Sequence, residues 1–329
     1  MIRNNKCNNG PNICAIGGGT GLSTMLRGLK KYTKNITAIV TVGDDGGGSG
    51  ALREDLGMLP PGDIRNCILA LANTEPIMKE LLQYRFTEGN LQGQSFGNLF
   101  LAAMNGICNN NFMEAVKAMS DVLAVTGKVL PVTLDNMRLS ATLSNGMVVH
   151  GESKIPQVVE EYNTKIEKIK IEPANAKALR EAVEAIYDAD IIVLGPGSLY
   201  TSVIPNLLVE GIRNALKETT AMRVYVANIM TQHGESDGYT VSDHLKAVIK
   251  HADGTVVDYV LANDGNISDS FKKKYLGKDA EIVDIDEEEI DRLNIKVIKD
   301  DFVKIKNNEY VRHSATKLAK TIIKMYNDK

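Results

Sequence analysis

The stretch from Val40 to Asn66 reads VTVGDDGGGSGALREDLGMLPPGDIRN and concentrates residue types that bind charged ligands. An apolar run leads into two adjacent carboxylates, Asp44 and Asp45, which are followed by Gly46 and a glycine tract. Carboxylates at a strand end can hold ribose hydroxyls or a metal ion, and glycine backbone lets amide groups approach phosphate oxygens closely. We predict that this segment binds a nucleotide-type ligand. Loop capping by the two aspartates is the structural alternative.

A second glycine turn stands near the N-terminus, in the sequence NICAIGGGTGLSTMLRGL. A strand, a glycine turn and a helix in this order direct backbone amides and the positive end of the helix at an anion. The spacing differs from a dinucleotide fingerprint, because Leu22 occupies the third glycine position, and no Gly-Lys-Ser/Thr ends the run as in a Walker loop. We predict phosphate contact by Gly18, Gly19, Thr20 and Gly21, with tight packing of the turn as the alternative.

The sequence PPGDIRN opens a helix after the first glycine tract. Asp63 fits an N-cap for a helix beginning near Ile64, which is its structural role. Arg65 then falls in the first helical turn, where the helix dipole disfavours a cation. A carboxylate or phosphate beside Arg65 would explain its position.

Three further polar positions each follow an apolar run: the GPGS turn at Gly195–Ser198, Asn228 and Asn263. In open α/β sheets, ligands bind along the carboxyl edge of the strands. We therefore predict that these groups lie along the binding edge, although capping of their own loops is an equally simple role for each residue taken alone.

The order of apolar runs predicts an α/β fold with a doubly wound, mostly parallel, Rossmann-like sheet. The predicted strands are Ile13–Ile16, Ile36–Val42, Ile191–Leu194, Arg223–Ala227, Val256–Ala262 and Lys296–Ile298. A helix-rich segment follows the second strand, with predicted helices at Ile64–Asn73, Pro76–Tyr84, Gly97–Ile107 and Phe112–Val125.

A smaller, strand-containing lobe is expected in the middle of the chain. Arg138–Ser144 and Met147–Glu152 flank Asn145-Gly146, a dipeptide suited to a type I′ hairpin turn. A helix at Ala174–Tyr187 then returns the chain to the main sheet. We predict a flexible N-terminus at 1–11, a first part of the nucleotide-binding core at 12–132, the small lobe at 133–173 and a second part of the core at 174–329.

Composition narrows the class of protein. The formal charge of −3 gives no basic surface for nucleic acid, so we expect none as a partner. The four cysteines show no CxxC spacing, and no apolar run reaches the roughly 20 residues that span a bilayer. We expect reduced thiols, no membrane insertion and a cytoplasmic location. His233 and His244 are too far apart for a helical metal pair, and no nucleophile motif is present.

Seven motifs occur in an order that resembles the phospholactate transferase (CofD)/YvcK family: GGGTGLSTMLRGLK, DDGGGSGALRED, LPPGDIRN, SFGNLFLAAM, GPGSLYTSVIPNLL, NIMTQHGES and YVRHS. The resemblance extends from about Asn12 to Ile323. LPPGDIRN, NIMTQHGES and YVRHS resemble the bacterial YvcK branch, which is described as nucleotide-sugar-binding gluconeogenesis and cell-shape factors. The other branch transfers a phospholactyl-type group from a guanylyl donor to a deazaflavin precursor, with magnesium.

The resemblance implies a ligand cleft lined by Gly18–Gly21, Asp44, Asp45, Asp63, Arg65, Asn66, Asn98, Gly197, Ser198 and Asn228, with Tyr275 and Arg312 near a nucleotide sugar. The chain departs from the family pattern at three positions. Glycine stands at 48 where the family has serine, alanine at 51 where it has arginine, and glutamine at 94 where it has histidine. The missing imidazole weakens the case for proton transfer at that position.

We therefore predict a cytosolic regulator of gluconeogenic growth and of the cell wall and cell shape that binds a UDP-sugar, UDP-N-acetylglucosamine above all. Its protein partners would belong to cell-wall or carbon metabolism, and self-association stays open. Binding would require no cofactor, although Asp44 and Asp45 can hold magnesium. The alternative is a magnesium-dependent phospholactyl-type transferase, because such chemistry depends on positioning and electrostatics rather than on a protein nucleophile.

Overall fold

A computed structural model of the chain describes residues 10–267, 271, 280–306 and 310–328. The strands in this part are β1 (Ile13–Gly17), β2 (Ile36–Val40), β3 (Lys128–Pro131), β4 (Arg138–Leu143), β5 (Val148–His150), β6 (Ile166–Glu172), β7 (Ile191–Leu194), β8 (Met222–Val226), β9 (Tyr259–Asn263), β10 (Lys296–Asp300), β11 (Val303–Lys306) and β12 (Tyr310–His313).

The α-helices in the same ranges are α1 (Gly19–Leu29), α2 (Gly47–Leu56), α3 (Gly62–Leu71), α4 (Pro76–Gln83), α5 (Phe96–Ile107), α6 (Phe112–Val122), α7 (Ile155–Glu161), α8 (Arg180–Tyr187), α9 (Ile204–Leu208), α10 (Glu210–Glu218), α11 (Val241–Ala252), α12 (Glu287–Arg292) and α13 (Ala315–Asn327). Short 3₁₀ turns occur at Gly89–Leu91 and Glu152–Lys154, and a π-helical turn at Leu199–Val203 leads into α9.

Seven parallel strands form the central sheet in the order β10-β9-β8-β7-β1-β2-β3. The central strands are apolar and buried on both faces, as in β7, because helices cover the sheet on each side. The chain adds β2 and β3 on one side of β1 and β7 to β10 on the other. The order of the strands therefore reverses between β1 and β7, and such a point is where doubly wound folds bind ligands.

The predicted fold class is confirmed, and the six predicted strands correspond to β1, β2 and β7 to β10. The prediction missed β3, which is only four residues long and reads KVLP. Pro131 ends this strand at the edge of the sheet, where proline is tolerated because no further strand needs its missing N–H. The predicted helix at Ala174–Tyr187 begins only at Arg180. Ala178 instead pairs with Thr133 in an antiparallel bridge.

The small lobe contains a three-stranded antiparallel sheet in the order β5-β4-β6, with α7 between β5 and β6. The β4–β5 hairpin is present, but its turn is not type I′, since Gly146 has a φ of 85° while Asn145 has no positive φ. Ile169 of the lobe donates its N–H to His251 Nε2 of α11 at 3.0 Å. This hydrogen bond ties the lobe to the second half of the core.

Among the described residues, Cys14, Cys67 and Cys108 are free thiols, as expected, and burial raises the pKa of Cys14 and Cys67. Cys7 lies outside the described residues, as do positions 1–9 of the predicted N-terminal segment. Within the same described ranges, no helix has the length and apolar character needed to cross a bilayer.

Candidate functional site

The loops after β1 and β7 meet at the point where the strand order reverses. Gly19 begins α1 with a φ of 68°, which favours glycine. A Cβ on Gly21 would stand 2.4 Å from the carbonyl oxygen of Pro196, so only glycine fits where the two loops touch. The glycine turn predicted to contact phosphate therefore has a packing role as well, because it brings the GPGS turn next to α1.

These loops border a cavity of about 470 Å³, which we call the main cavity. The volume is within the range of small-molecule sites. Eight predicted residues lie in its wall: Gly18, Gly19, Thr20, Gly21, Gly197, Ser198, Asn228 and Arg312. The prediction missed Pro196, Ser202, Ile229, Met230, Thr231, Gln232, Val311 and His313. Part of this set lies in the NIMTQHGES and YVRHS motifs, so both motifs contribute residues to the wall of the main cavity.

The wall of the main cavity suits a negatively charged group. Gly18 has no side chain to cap α1, and the first turn of that helix contains no acidic residue. Arg312, on β12, supplies a cation. The neighbouring His313 is neutral, because burial lowers its pKa to about 4 while its Nε2 donates to the Ala227 carbonyl at 3.1 Å.

A chain of amide and hydroxyl groups runs along the wall of the main cavity. Asn228 Nδ2 donates to Gln232 Oε1 at 3.3 Å, and Gln232 Nε2 donates to Ser198 Oγ at 2.9 Å. These bonds hold the predicted residues Asn228 and Ser198 in one arrangement. Asn263, by contrast, lies outside the main cavity and accepts a hydrogen bond from the Phe302 N–H at 2.8 Å.

Asp63 connects the main cavity with the acidic segment after β2. The prediction that it is an N-cap is wrong, since α3 begins at Gly62 and Asp63 is already in its first turn. Its carboxylate accepts the Gly19 N–H, and its Oδ2 stands 2.6 Å from where a Cβ on Gly18 would be. Burial and the charge of Asp44 raise the pKa of Asp63 to about 6.

The two adjacent aspartates have different environments. Asp45 accepts the backbone N–H groups of Ser153 at 2.9 Å and Glu152 at 3.1 Å, so both of its oxygens bind the small lobe. Asp44 stays with the core: its Oδ1 accepts the Gly46 N–H at 2.9 Å. Both aspartates therefore cap backbone amides: Asp44 caps its own loop through Oδ1, and Asp45 caps the small lobe through both oxygens. The second oxygen of Asp44 stays available to other partners.

Arg65 lies in a buried polar cluster that also contains Ser49 and Asn98, which we call the Arg65 cluster. Its Nε donates to Asn98 Oδ1 at 3.2 Å, and Asn98 Nδ2 donates to Ser49 Oγ at 3.4 Å. Asp63 is the carboxylate whose charge favours the protonated guanidinium, as the position of Arg65 had suggested. Asn66, the next residue of α3, is partly exposed and does not border the main cavity.

Two of the three departures from the family pattern lie against each other. A Cβ on Gly48 would stand 2.7 Å from Gln94 Oε1, an oxygen that is buried without a hydrogen-bond partner in the described structure. A serine at position 48 would have to displace this glutamine side chain. Glycine at 48 and glutamine at 94 are thus compatible as a pair.

Two glutamates that the prediction did not include stand near the acidic segment. Glu235 accepts the Thr201 hydroxyl at 3.0 Å and the Tyr200 N–H at 3.3 Å, and burial raises its pKa to about 7. Burial and surrounding carboxylates, Asp44 first, raise the pKa of Glu152 to about 8. Glu235 belongs to the NIMTQHGES motif, whereas Glu152 is placed here only by the fold of the small lobe.

The predicted magnesium ligands fit only in part. Within the described ranges, no three His, Cys, Asp or Glu side chains are arranged to hold a metal ion. Asp45 is occupied by the lobe amides, which leaves Asp44 as the carboxylate available to a cation. Magnesium commonly binds one or two carboxylates together with ligand phosphates and water, so Asp44 fits that pattern. Tyr275, which the resemblance placed near the sugar, lies outside the described residues.

Comparison with known proteins identifies relatives over nearly the whole chain. A Clostridium acetobutylicum protein whose name includes the words gluconeogenesis factor is 63% identical over 320 residues, covering 97% of this chain and 70% of the relative. The gluconeogenesis factor of Bacillus subtilis is 46% identical over 314 residues, covering 95% of this chain and 97% of that protein.

A solved structure shares the fold as well. The crystal structure of a UPF0052 family member from Bacillus halodurans matches with a TM-score of 0.91 and 47% identity, covering 96% of this chain and 99% of that one. The family model described as 2-phospho-L-lactate transferase CofD matches residues 13–303. This chain therefore belongs to the CofD family.

Proposed function

We propose that this protein binds a nucleotide sugar of the UDP-N-acetylglucosamine type in the main cavity and acts as a regulator rather than as an enzyme. The observation that supports the proposal is the meeting of the two glycine loops at the start of α1, facing Arg312 across a cavity of about 470 Å³. The glycine backbone amides at the start of α1 and one cation together suit a diphosphate, although Asp63 already accepts the Gly19 N–H.

In this proposal the diphosphate lies against the glycine turn of α1 and against Gly197 and Ser198. Arg312 offsets part of its charge. Asp44 and Asp63 accept hydrogen bonds from ribose or sugar hydroxyls beside the main cavity, and Asp44 can share a magnesium ion with the phosphates. The ion would reduce the repulsion between phosphate and carboxylate oxygens.

The proposed regulatory role is the control of gluconeogenic growth and of the cell wall and cell shape. It draws on the name gluconeogenesis factor, which the Bacillus subtilis relative carries. A nucleotide sugar that supplies cell-wall synthesis would report the state of that pathway to the protein. The proposal includes a cytoplasmic location and protein partners in cell-wall or carbon metabolism.

Calorimetry with UDP-N-acetylglucosamine tests the binding. A ligand that binds only the folded state stabilises it by about 2.7 kcal/mol at 100 times the dissociation constant, so the melting temperature should rise with ligand concentration. Arg312→Gln should weaken binding, while Arg180→Gln, a change at an exposed arginine of α8, should leave it unaltered. Absence of binding by every UDP-sugar at millimolar concentration would remove the proposal.

A second function is favoured by the description of the family model, a phospholactate transferase. Asp44, whose charge acts on Asp63, would serve such an enzyme as a magnesium ligand. Incubation of the protein with UDP-N-acetylglucosamine should return the ligand intact if the regulatory proposal holds. Turnover proportional to protein concentration, or transfer of a phospholactyl group to a deazaflavin acceptor, would establish the enzymatic function instead.

A further inference from the structure

The guanidinium of Arg65 has few hydrogen-bond partners for a buried cation. Its side chain is 8% exposed, and the stem packs beneath Gly97, where a Cβ would stand 2.9 Å from Arg65 Cδ. Only its Nε donates to a side chain, that of Asn98, and within the described part of the chain no protein group accepts from Nη1 or Nη2. Nη1 and Nη2 keep contact with solvent, so water can hydrate them. An anion that displaced this water would supply the pairing that buried charges normally have.

A second arginine increases the local positive charge. Burial lowers the pKa of Arg65, the nearby Arg85 lowers it further, and Asp63 acts in the opposite direction. Arg85 is exposed and donates its Nη1 to the Gly93 carbonyl rather than to a carboxylate. Two arginines close enough to repel each other, with one partly offsetting aspartate, make a region that an added anion would stabilise.

The surroundings are built from buried polar groups. Ser49 is 6% exposed and Asn98 is 3% exposed, and they join Arg65 through hydrogen bonds. The N-terminal turn of α2 contains Ser49 and has no acidic residue, although Asp44, two residues before the N-cap Gly46, accepts the N–H of that glycine. The cluster thus combines a preformed guanidinium, a hydroxyl, an amide and a helix N-terminus.

We propose that the Arg65 cluster, with Arg85 beside it, is a second anion subsite that receives a carboxylate or phosphate group next to the nucleotide in the main cavity. The guanidinium offers Nη1 and Nη2 as a two-pronged donor, which matches the paired oxygens of these groups. The subsite adjoins the main cavity through Asp63, which touches Gly18 and Gly19.

The inference rests on the proposed function for its position beside a nucleotide, and it refines the expected ligand. UDP-N-acetylglucosamine has no acidic group beyond its diphosphate. A ligand that used both sites would carry an acid on its sugar, or a separate small anion would bind together with the nucleotide. The two sources share one chemistry, and binding experiments can separate them.

The first experiment compares UDP-glucuronate with UDP-glucose by calorimetry, since the two differ only by a carboxylate in place of a hydroxymethyl group. A charge-assisted hydrogen bond should make UDP-glucuronate bind roughly 10- to 150-fold more tightly to the unaltered protein. Arg65→Gln should reduce this ratio to about 1, because the amide can still donate to Asn98 but carries no charge. Arg180→Gln is the matched control and should keep the ratio.

The second experiment titrates inorganic phosphate in the presence of UDP-glucose and follows the melting temperature. A saturable rise that Arg65→Gln abolishes would assign the subsite to a separate anion. Arg85→Gln, at an exposed position, gives a second variant with a partial loss should Arg65→Gln fail to fold.

The outcomes distinguish the two proposals. Equal affinities for the two UDP-sugars, together with no phosphate effect that depends on Arg65 or Arg85, would overturn the subsite while leaving nucleotide-sugar binding intact. If no UDP-sugar binds but phosphate still stabilises the protein through Arg65, the proposed function fails and the subsite stands.

Discussion

Replacing Asp63 by asparagine should make the protein more stable at neutral pH. Asp63 is half-buried, and the desolvation of its carboxylate together with the charge of nearby Asp44 raises its pKa to about 6 from an ordinary value of 3.8. The folded protein therefore binds this proton more tightly than the unfolded chain does. The contribution of Asp63 to the free energy of unfolding must then fall as the pH rises from about 3.8 to about 6, and above that range its whole penalty is present.

The size of the effect follows from the two pKa values. They differ by about two pKa units, each of which corresponds to about 1.4 kcal/mol, so the charged form of Asp63 costs the folded state about 3 kcal/mol at pH 7. Asparagine keeps the shape and an oxygen for the Gly19 N–H but has no charge to bury. With an unfolding entropy of about 2.1 cal/mol/K per residue over 329 residues, the melting temperature should rise by about 4 °C.

Thermal or urea unfolding of the unaltered protein and of Asp63→Asn between pH 4 and pH 8 tests this reasoning. The stability difference should be small at pH 4, should grow up to about pH 6 and should stay constant above it. Asp55→Asn, at an exposed position of α2, is the control and should show no such growth. An Asp63 variant that is equally or less stable at pH 7 would refute the burial argument. In the same variant, weaker binding of UDP-N-acetylglucosamine would show that the acid is retained for the ligand.

Three further predictions concern the loops and the lobe. Gly21→Ala should weaken ligand binding at least tenfold and cost about 1–3 kcal/mol of stability, since the new methyl group would meet the Pro196 carbonyl oxygen at 2.4 Å. The control Gly106→Ala, with open space around it, should be neutral or stabilising by up to about 1 kcal/mol, and calorimetry and thermal melts of both variants check this. Asp44→Asn should lower nucleotide-sugar affinity roughly 10- to 150-fold with little change in folding, whereas Asp45→Asn should cost about 0.5–2 kcal/mol of stability with affinity intact. The reverse pattern in calorimetry and thermal melts would exchange the roles of the two aspartates. His313 should stay neutral down to a pH of about 4, so the unfolded chain gains this proton first and the contribution of His313 to stability should fall as the pH drops from about 6.5 to about 4, opposite in sign to that of Asp63. Urea unfolding should show the stability difference between His313→Gln and the unaltered protein shifting in favour of the variant over this range, and a constant difference would contradict this assignment.

The sequence was sufficient for the sheet wherever a strand is a continuous apolar run, as in β7. It was insufficient for β3, because a four-residue edge strand that begins with lysine and ends with proline lacks that signal. The prediction of a ligand site at the glycine turns came from their order in the chain, since a turn between strand and helix acts locally, and it stays a prediction. That order alone could not indicate the contact between Gly21 and Pro196.

The different hydrogen-bond partners of Asp44 and Asp45 could not be predicted from the sequence, for another reason. Asp44 and Asp45 are chemically identical, and only the position of a segment 107 residues further along the chain decides which one is capped. The same limit applies to Gln232, whose partners Ser198 and Asn228 come together through β7 and β8. Residue types indicate the chemistry available, while the pairing of distant residues requires the fold.

The hydrogen bonds between Asp45 and the small lobe mean that removal of the lobe would alter the loop after β2. A chain from which residues 138–172 were removed would keep every strand of the central sheet, yet its β2 loop would lose the two amide donors that orient this carboxylate. The loop also carries Asp44 and leads into α2, so the Arg65 cluster would lose its neighbouring support. The small lobe thus supports the loop after β2 at the binding edge. An exchange of lobes between relatives would have to transfer the residues around position 45 together with the lobe.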